Sequence, residues 1–242
     1  MNDLTPAATP VTIAVVNAGV SDPSSTRLLA DRIAQKTVDT LGAWGTTATV
    51  RSLDLGPLAT EIAQSIVSGM LHPKVQSAME LLARADAVIA ATPVYKAGIS
   101  GLFKSFADLI DNDLLIAKPV VLAATGGSAR HAMVVDDQLR PLFGFLRTIP
   151  VPTSLYAAPE DWASTDLGKR IARAAQELSV MLRSGAGRQI ADSNWSGYDH
   201  QFGGNATRAQ RSLDDVDFTT DLMRLATGGS TRPQGGDRAE AG

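Results

Sequence analysis

The sequence predicts a doubly wound α/β domain, a parallel sheet with helices on both faces, and three observations carry this. Short runs rich in β-formers alternate with longer stretches of helical period from residue 11 to residue 184. Three of the runs, VTIAVVN, AVIAAT and PVVLAA, are apolar almost throughout, as strands buried on both faces must be. The chain has 242 residues, 44% of them apolar, enough to bury such a sheet between two helical layers.

In chain order, strands are expected at 11–17, 46–53, 87–92, 119–124 and 152–156. The first, third and fourth are the apolar runs and belong at the centre. Residues 46–53 set Thr47, Thr49 and Arg51 against Ala48 and Val50, the alternation of an edge strand with one wet face. A helix over 25–41 aligns Leu28, Leu29, Ile33, Ala34 and Val38, and one over 73–84 aligns Val75, Met79, Leu82 and Ala83. Helices are also expected at 100–109, 136–146 and 166–183, the last with Leu167, Ile171, Ala174, Leu178, Met181 and Leu182 at helical spacing. Five strands with intervening helices suggest the order 2-1-3-4-5. Ile99, Leu102, Phe103 and Phe106 offer more apolar surface than one stripe buries, which predicts a partner helix from a second subunit.

The domain is expected to span 11–187, preceded by a flexible arm at 1–10. After Gly185 the composition turns to Gly, Ser, Asn and Asp, so 188–227 reads as a C-terminal extension without a core of its own. Its rings, Trp195, Tyr198, His200 and Phe202, are either anchors that dock the segment or cover for a neighbouring site. A short amphipathic piece at 218–225 follows, and 228–242 is expected to be disordered.

Composition narrows the function. With 22 Lys plus Arg against 25 Asp plus Glu, no broad field attracts a polyanion, so nucleic acid is not the expected partner. The absence of cysteine excludes disulfides, thiolate metal sites and a cysteine nucleophile, and three histidines (His72, His131, His200) leave little metal-binding capacity. No apolar run approaches the roughly 18 residues of a membrane span, and the first ten residues lack a basic start; a cytoplasmic location is expected. The chemistry therefore falls to a bound organic cofactor or to hydroxyls, carboxylates and backbone amides.

Three loops at expected strand ends can carry it. The first strand runs into Ala18-Gly19-Val20-Ser21-Asp22-Pro23-Ser24-Ser25-Thr26-Arg27 and then a helix. Free amides and the positive end of a helix dipole meet there among hydroxyls and a guanidinium, which makes an anion site. Ordinary capping by Ser24 or Ser25 is the alternative, but a cap needs one hydroxyl and four are present. The loop is neither Gly-x-Gly-x-x-Gly nor a P-loop, which disfavours the usual nucleotide folds. The third strand runs into Thr92-Pro93-Val94-Tyr95-Lys96-Ala97-Gly98-Ile99-Ser100-Gly101-Leu102-Phe103-Lys104, and the fourth into Ala124-Thr125-Gly126-Gly127-Ser128-Ala129-Arg130-His131. Two small-residue loops beside one anion site suit a flat ring with a phosphate tail. Lys104 and Asp108 read as a surface pair, and Arg130 and His131 either meet a second nucleotide or face solvent.

These residues resemble the NAD(P)H-dependent FMN reductases of the flavodoxin-like superfamily, particularly those that supply reduced flavin to two-component monooxygenases. The likeness rests on Thr-Pro-Val-Tyr-Lys-x3-Ser-Gly-x2-Lys at 92–104 and Ala-Thr-Gly-Gly-Ser at 124–128, and spans about 11–162. It implies a flavodoxin-like three-layer sandwich whose cofactors are FMN and NAD(P)H. Ser21, Ser25, Thr26 and Arg27 would hold the FMN phosphate. Pro93, Val94, Tyr95 and Lys96 would line the isoalloxazine ring, and Thr125, Gly126, Gly127 and Ser128 would close its other edge. No side chain is implied as a catalytic acid or base, and a homodimer or homotetramer is implied. Ile99 stands where some members carry a tyrosine at a subunit interface, so control through that ring is not inherited. Quinone or azo reductases with tightly bound FMN share the scaffold, as do carrier flavodoxins. The carriers are strongly acidic, use a Thr-x-Thr-Gly-x-Thr loop and sandwich the ring between aromatics, unlike this chain with its 5% aromatics. Arg130 is one candidate for a 2′-phosphate, which leaves NADH and NADPH both open.

Overall fold

Hydrophobic alternation on the central strands splits the interior of the protein into two cores. In the computed structural model, which describes residues 10–194, β1 (Val11–Asn17) and β3 (Ala87–Tyr95) each send alternate side chains to opposite faces. Ile13, Val15, Ile89, Val121 and Ala123 pack beneath α1 (Ser25–Ala43) and α6 (Thr165–Ser184) through Leu29, Ile33, Ile171 and Leu178. Val16, Val88, Ala90, Val120 and Leu122 pack on the other face against α2 (Ala59–Ser68), α3 (Pro73–Arg84), α4 (Gly101–Ala107) and α5 (Arg140–Phe145). The result is the three-layer sandwich that the apolar strands require.

The parallel strands lie in the order β2 (Ala48–Asp54), β1, β3, β5 (Pro119–Thr125), with β6 (Ile149–Pro150) and β7 (Leu155–Ala157) together forming the fifth position, so the expected 2-1-3-4-5 order holds. β2 (Ala48–Asp54) is the wet edge, five of its seven residues being exposed or half-buried before Leu53 closes it. The fifth strand is not the continuous 152–156 run expected: it breaks into β6 (Ile149–Pro150) and β7 (Leu155–Ala157), both paired with β5 (Pro119–Thr125). Pro152 has no N–H for the ladder. The Arg140 guanidinium fills the gap, donating to Val151 O at 3.2 Å, Pro152 O at 3.3 Å and Ser154 Oγ at 2.7 Å. From the opposite face Glu177 accepts from the Thr153 amide at 2.9 Å and its hydroxyl at 2.8 Å.

Other elements depart from expectation for local reasons. Residues 55–68, for which the sequence analysis gave no element, turn once and form α2, whose Ile62 is buried and whose Gly69 ends it at φ 70°. A two-residue strand β4 (Gly98–Ile99) folds back antiparallel on β3, pairing Val94 with Ile99 and Tyr95 with Gly98. The expected helix at 136–146 begins as a π-wound turn, Val135–Leu139, with the Arg140 amide donating to Val135 O. Pro141 has no N–H to offer the carbonyl an ordinary α-turn would present, so the wider winding wastes no donor. Beyond the Gly185 cap, at φ 64°, the chain continues as α7 (Ala186–Asn194) where an extension was expected, so helix runs past the boundary set at residue 187. The arm at 1–9, the rings at 195–202 and the segments 218–225 and 228–242 lie outside the described residues.

The α4 face corrects the expected subunit contact. Ile99 and Leu102 are half-buried, but Phe103 and Phe106 are 2% and 1% exposed and belong to the core of their own chain, with Phe103 6.3 Å from the Phe143 ring centroid. The surplus apolar surface of the short α4 is absorbed by α2 and α5 instead. Phe103→Ala is accordingly expected to lower folding stability by about 3–5 kcal/mol in urea denaturation, the usual range for emptying a buried phenylalanine site. An unchanged midpoint with an altered molecular mass would place Phe103 at a subunit seam after all.

Candidate functional site

The three expected loops meet at the carboxyl edge of the sheet because β1, β3 and β5 are its adjacent central strands. Ser24 is the N-cap of α1, its hydroxyl accepting from the Arg27 amide at 3.1 Å, and the Leu28 amide donates to Ser24 O. The first-turn amides of Ser25 and Thr26 have no intrahelical acceptor, as at the start of any α-helix. Thr26, 2% exposed, shares a hydrogen with Thr125 Oγ1 at 2.7 Å, and Ser25 Oγ approaches the same Thr125 hydroxyl at 3.5 Å. Thr125 is in turn the register partner of Pro93. One buried hydroxyl contact thus draws the first loop, the end of β3 and the end of β5 to a single point.

Two glycines permit the close approach. A Cβ on Gly19 would collide with Ser24 Oγ and come within 2.9 Å of Thr26 Cβ, so this residue lets the loop fold tightly over the start of α1. A Cβ on Gly126 would run into Tyr156 Oη, so the β5 loop can lie against that phenol only without a side chain there. Tyr156 fixes this second loop by donating to Ser128 O at 2.6 Å. Burial, aided by the charges of Glu160 and Asp161, raises the phenol above its ordinary value, so it stays a donor at neutral pH.

The β3 loop is a tight hairpin. Lys96 and Ala97 occupy its tip at φ 51° and 63°, the left-handed region, with Tyr95 and Lys96 exposed. Its base is fixed by buried hydroxyls. Thr92 Oγ1 accepts from the Ser100 amide at 3.1 Å and lies 3.2 Å from Ser100 Oγ, which caps α4 by accepting from the Phe103 amide at 3.1 Å.

Arg27 is placed differently from an open anion ligand. Its Nε donates to Asp31, its Nη1 donates to both oxygens of Asp54 at 2.7 and 2.6 Å, and Asn17 Nδ2 also donates to Asp54, at 2.9 Å. The Asp54 hydrogen bond, with help from Asp31, holds the guanidinium above its ordinary value against the cost of its burial. Two carboxylates therefore balance its charge locally. Ser21 is exposed and stands apart from the Thr26–Thr125 contact, and Arg130 is exposed on a single turn, Ala129–His131. Lys104 and Asp108 form the expected exposed pair.

The sequence reading assigned no role to Asn17, Asp54, Gln138 or Tyr156. Asn17 at the end of an otherwise apolar VTIAVVN run was a legible signal, since a polar residue there must find a partner. Tyr156 gave none beyond its position in a strand. What remains for a ligand is a pair of helix-start amides, the Ser21 and Ser25 hydroxyls, and two small-residue loops with exposed backbone. These groups fit a phosphate attached to a flat ring.

Loops of this kind at the central strand ends of a sheet ordered 2-1-3-4-5 define a flavodoxin-like, nucleotide-binding class of protein. Comparison with known proteins narrows the class. The chain belongs to the NADPH-dependent FMN reductase family, which it matches over residues 11–163, and is an oxidoreductase that uses FMN and NAD(P)H. It is 36% identical over 180 residues to an NADH-dependent FMN reductase, SfnE, of Pseudomonas putida, covering 72% of this chain and 94% of that one. It is 34% identical over 178 residues to an NADPH-linked FMN reductase of Pseudomonas aeruginosa, covering 72% and 93%. Among solved structures, an oxidoreductase from Corynebacterium diphtheriae superposes with a TM-score of 0.70 at 39% identity, covering 73% of this chain and 98% of that one.

The contact joining the loops can be tested in the unliganded protein. Thr26→Val and Thr125→Val each strand a buried hydroxyl and are expected to cost about 1–3 kcal/mol, whereas the double substitution should cost less than the sum of the two. Strict additivity in urea denaturation would mean that the two loops are not held by this bond.

Proposed function

We propose that this chain binds FMN across the carboxyl ends of β1, β3 and β5, reduces it at the expense of NAD(P)H, and releases it as a diffusible product for a flavin-dependent monooxygenase. The observation that carries this reading is the meeting of three strand-end loops at Thr26 and Thr125 beside the first-turn amides of Ser25 and Thr26. Those amides, with the hydroxyls of Ser21 and Ser25, take the phosphate, where the positive end of α1 favours an anion. Pro93, Val94, Tyr95 and Lys96 lie along the ring, and Thr125, Gly126, Gly127 and Ser128 border its other edge.

When bound, the flavin supplies an N5 position that takes hydride directly from a stacked nicotinamide. The residues of this chain orient: no side chain need move a proton, and the Tyr156 phenol keeps the Gly126–Gly127 backbone in place. Arg27 flanks the phosphate only with the N–H groups that Asp31 and Asp54 leave over. Two features favour release over permanent retention. The cation nearest the phosphate is already balanced by carboxylates, and Tyr95 is the single exposed Phe, Tyr or Trp in the three loops, Phe103 being buried in the core, so stacking on both faces of the ring is not available from them.

The proposal extends to a homodimer or homotetramer in the cytoplasm. An apolar groove of about 620 Å³ runs along α2 and its turn into α3, lined by Ala63, Val67, Met70 and Leu71, with Val67 88% and Met70 75% exposed. No helix among the described residues is long and apolar enough to cross a membrane.

Anaerobic mixing of the protein with FMN and each nicotinamide should bleach the visible flavin absorbance, with a steady-state rate that saturates in added FMN. A rate independent of added FMN, with stoichiometric flavin carried through purification, would favour a tightly bound flavin as in quinone or azo reductases. Ser25→Ala should weaken FMN about three- to tenfold and riboflavin hardly at all, since only FMN carries the phosphate. Equal weakening of both flavins would remove the phosphate from this loop.

A further inference from the structure

The Val94–Ile99 hairpin is short and awkward for its sequence. A two-residue tip with both residues in the left-handed region favours Asn and Gly, yet Lys96 and Ala97 hold φ 51° and 63° here. Two paired positions, Val94 with Ile99 and Tyr95 with Gly98, are too few to hold such a ribbon alone. Residues in this region persist only where their surroundings over-determine them.

The surroundings supply one side chain that meets the requirement. Gln138 accepts from the Ile99 amide through Oε1 at 3.0 Å and donates from Nε2 to Ala97 O at 3.3 Å. Its carboxamide thus satisfies one donor and one acceptor on the returning strand of the hairpin, as another strand would. Gly98 makes room: a Cβ there would stand 3.3 Å from Oε1 and 3.7 Å from Nε2. Gln138 comes from the π-wound turn Val135–Leu139, whose Val135 and Leu139 are buried in the core, so the clamp is anchored to a rigid base. π-turns of this kind recur at functional sites.

We infer that Gln138 is a positioning residue for the flavin ring: it holds the Pro93–Lys96 segment in the conformation that faces the isoalloxazine, through the backbone of Ala97 and Ile99 and without touching the flavin. This rests on the reading that the hairpin lines the ring. The carboxamide is required because both its groups are used. A carboxylate in its place would keep the bond from Ile99 but set a second acceptor against Ala97 O.

The test compares the full-length protein with Gln138→Ala, Gln138→Glu and, as a control on the same turn, the exposed Asp137→Ala. Dissociation constants for FMN and for riboflavin are read from flavin fluorescence, with melting temperature and exchange of the Ile99 amide measured without flavin. Both Gln138 variants are expected to weaken FMN and riboflavin alike, by about tenfold, the effect of one net hydrogen bond. Ile99 exchange should quicken, while melting temperature and the Asp137→Ala values stay near those of the parent. Equal weakening of both flavins separates the ring from the phosphate loop, whose loss affects FMN alone. Should the alanine variant fail to fold, Gln138→Met, of similar length and without the amide, replaces it. Parent-like flavin affinities in the Gln138 variants would overturn the inference, as would a lowered melting temperature with unaltered affinity, which is what a purely structural bond would give. A parent protein that binds neither flavin would instead overturn the underlying reading of the site.

Discussion

Thr26 and Thr125 are almost wholly buried, and a buried hydroxyl left without a partner is costly, so each constrains the other. That single requirement ties the start of α1 to the end of β5, and through the Pro93 register to the end of β3. The same logic repeats one strand over, where buried Thr92 and Ser100 fix the base of the hairpin and cap α4. The site is therefore assembled by the intolerance of the apolar sheet for unpaired polar groups. Strands buried on both faces have nowhere to present polar chemistry until they end, and β1, β3 and β5 end side by side.

The flavin site proposed above implies a particular balance of affinity. A phosphate set at the start of α1 meets amides, hydroxyls and a helix dipole, while the Arg27 charge is offset by Asp31 and Asp54. Binding of that kind distinguishes FMN from riboflavin without the grip that a free guanidinium fork would add. An enzyme that hands its reduced flavin to another protein gains from such moderation, because its product must leave. Orientation of the ring is a separate task, which the proposed site gives to the two strand-end loops, each held by a side chain from another element: Tyr156 on the Ser128 carbonyl and Gln138 on the hairpin.

Much of this was legible in the sequence, and the parts that were not share a cause. Apolar runs placed β1, β3 and β5, and the strand order followed from the alternation of elements. The Thr92–Lys104 and Ala124–Ser128 stretches carried the family resemblance, and the family match bears it out. The hairpin was hidden because Lys96 and Ala97 are not turn-formers; its conformation is imposed by Gln138, some forty residues away in sequence. The break between β6 and β7 was hinted at by Pro152, but the Arg140 guanidinium that fills it comes from a helix. Phe103 and Phe106 looked surplus because α2, the element that helps cover them, had not been recognised. Arg27 had the composition of a phosphate ligand, yet its carboxylate partners include Asp54, the last residue of a neighbouring strand. Local periodicity reveals elements; it does not reveal which side chains a second element will engage.

In the proposed site the phosphate of FMN rests on the first-turn amides of Ser25 and Thr26. Backbone amide NMR shifts during parallel titrations with FMN and with riboflavin test it most directly. Large downfield shifts of the Ser25 and Thr26 amides are expected with FMN and small ones with riboflavin, while the hairpin and the Gly126–Gly127 amides respond to both. Unmoved Ser25 and Thr26 amides in a protein saturated with FMN would contradict it.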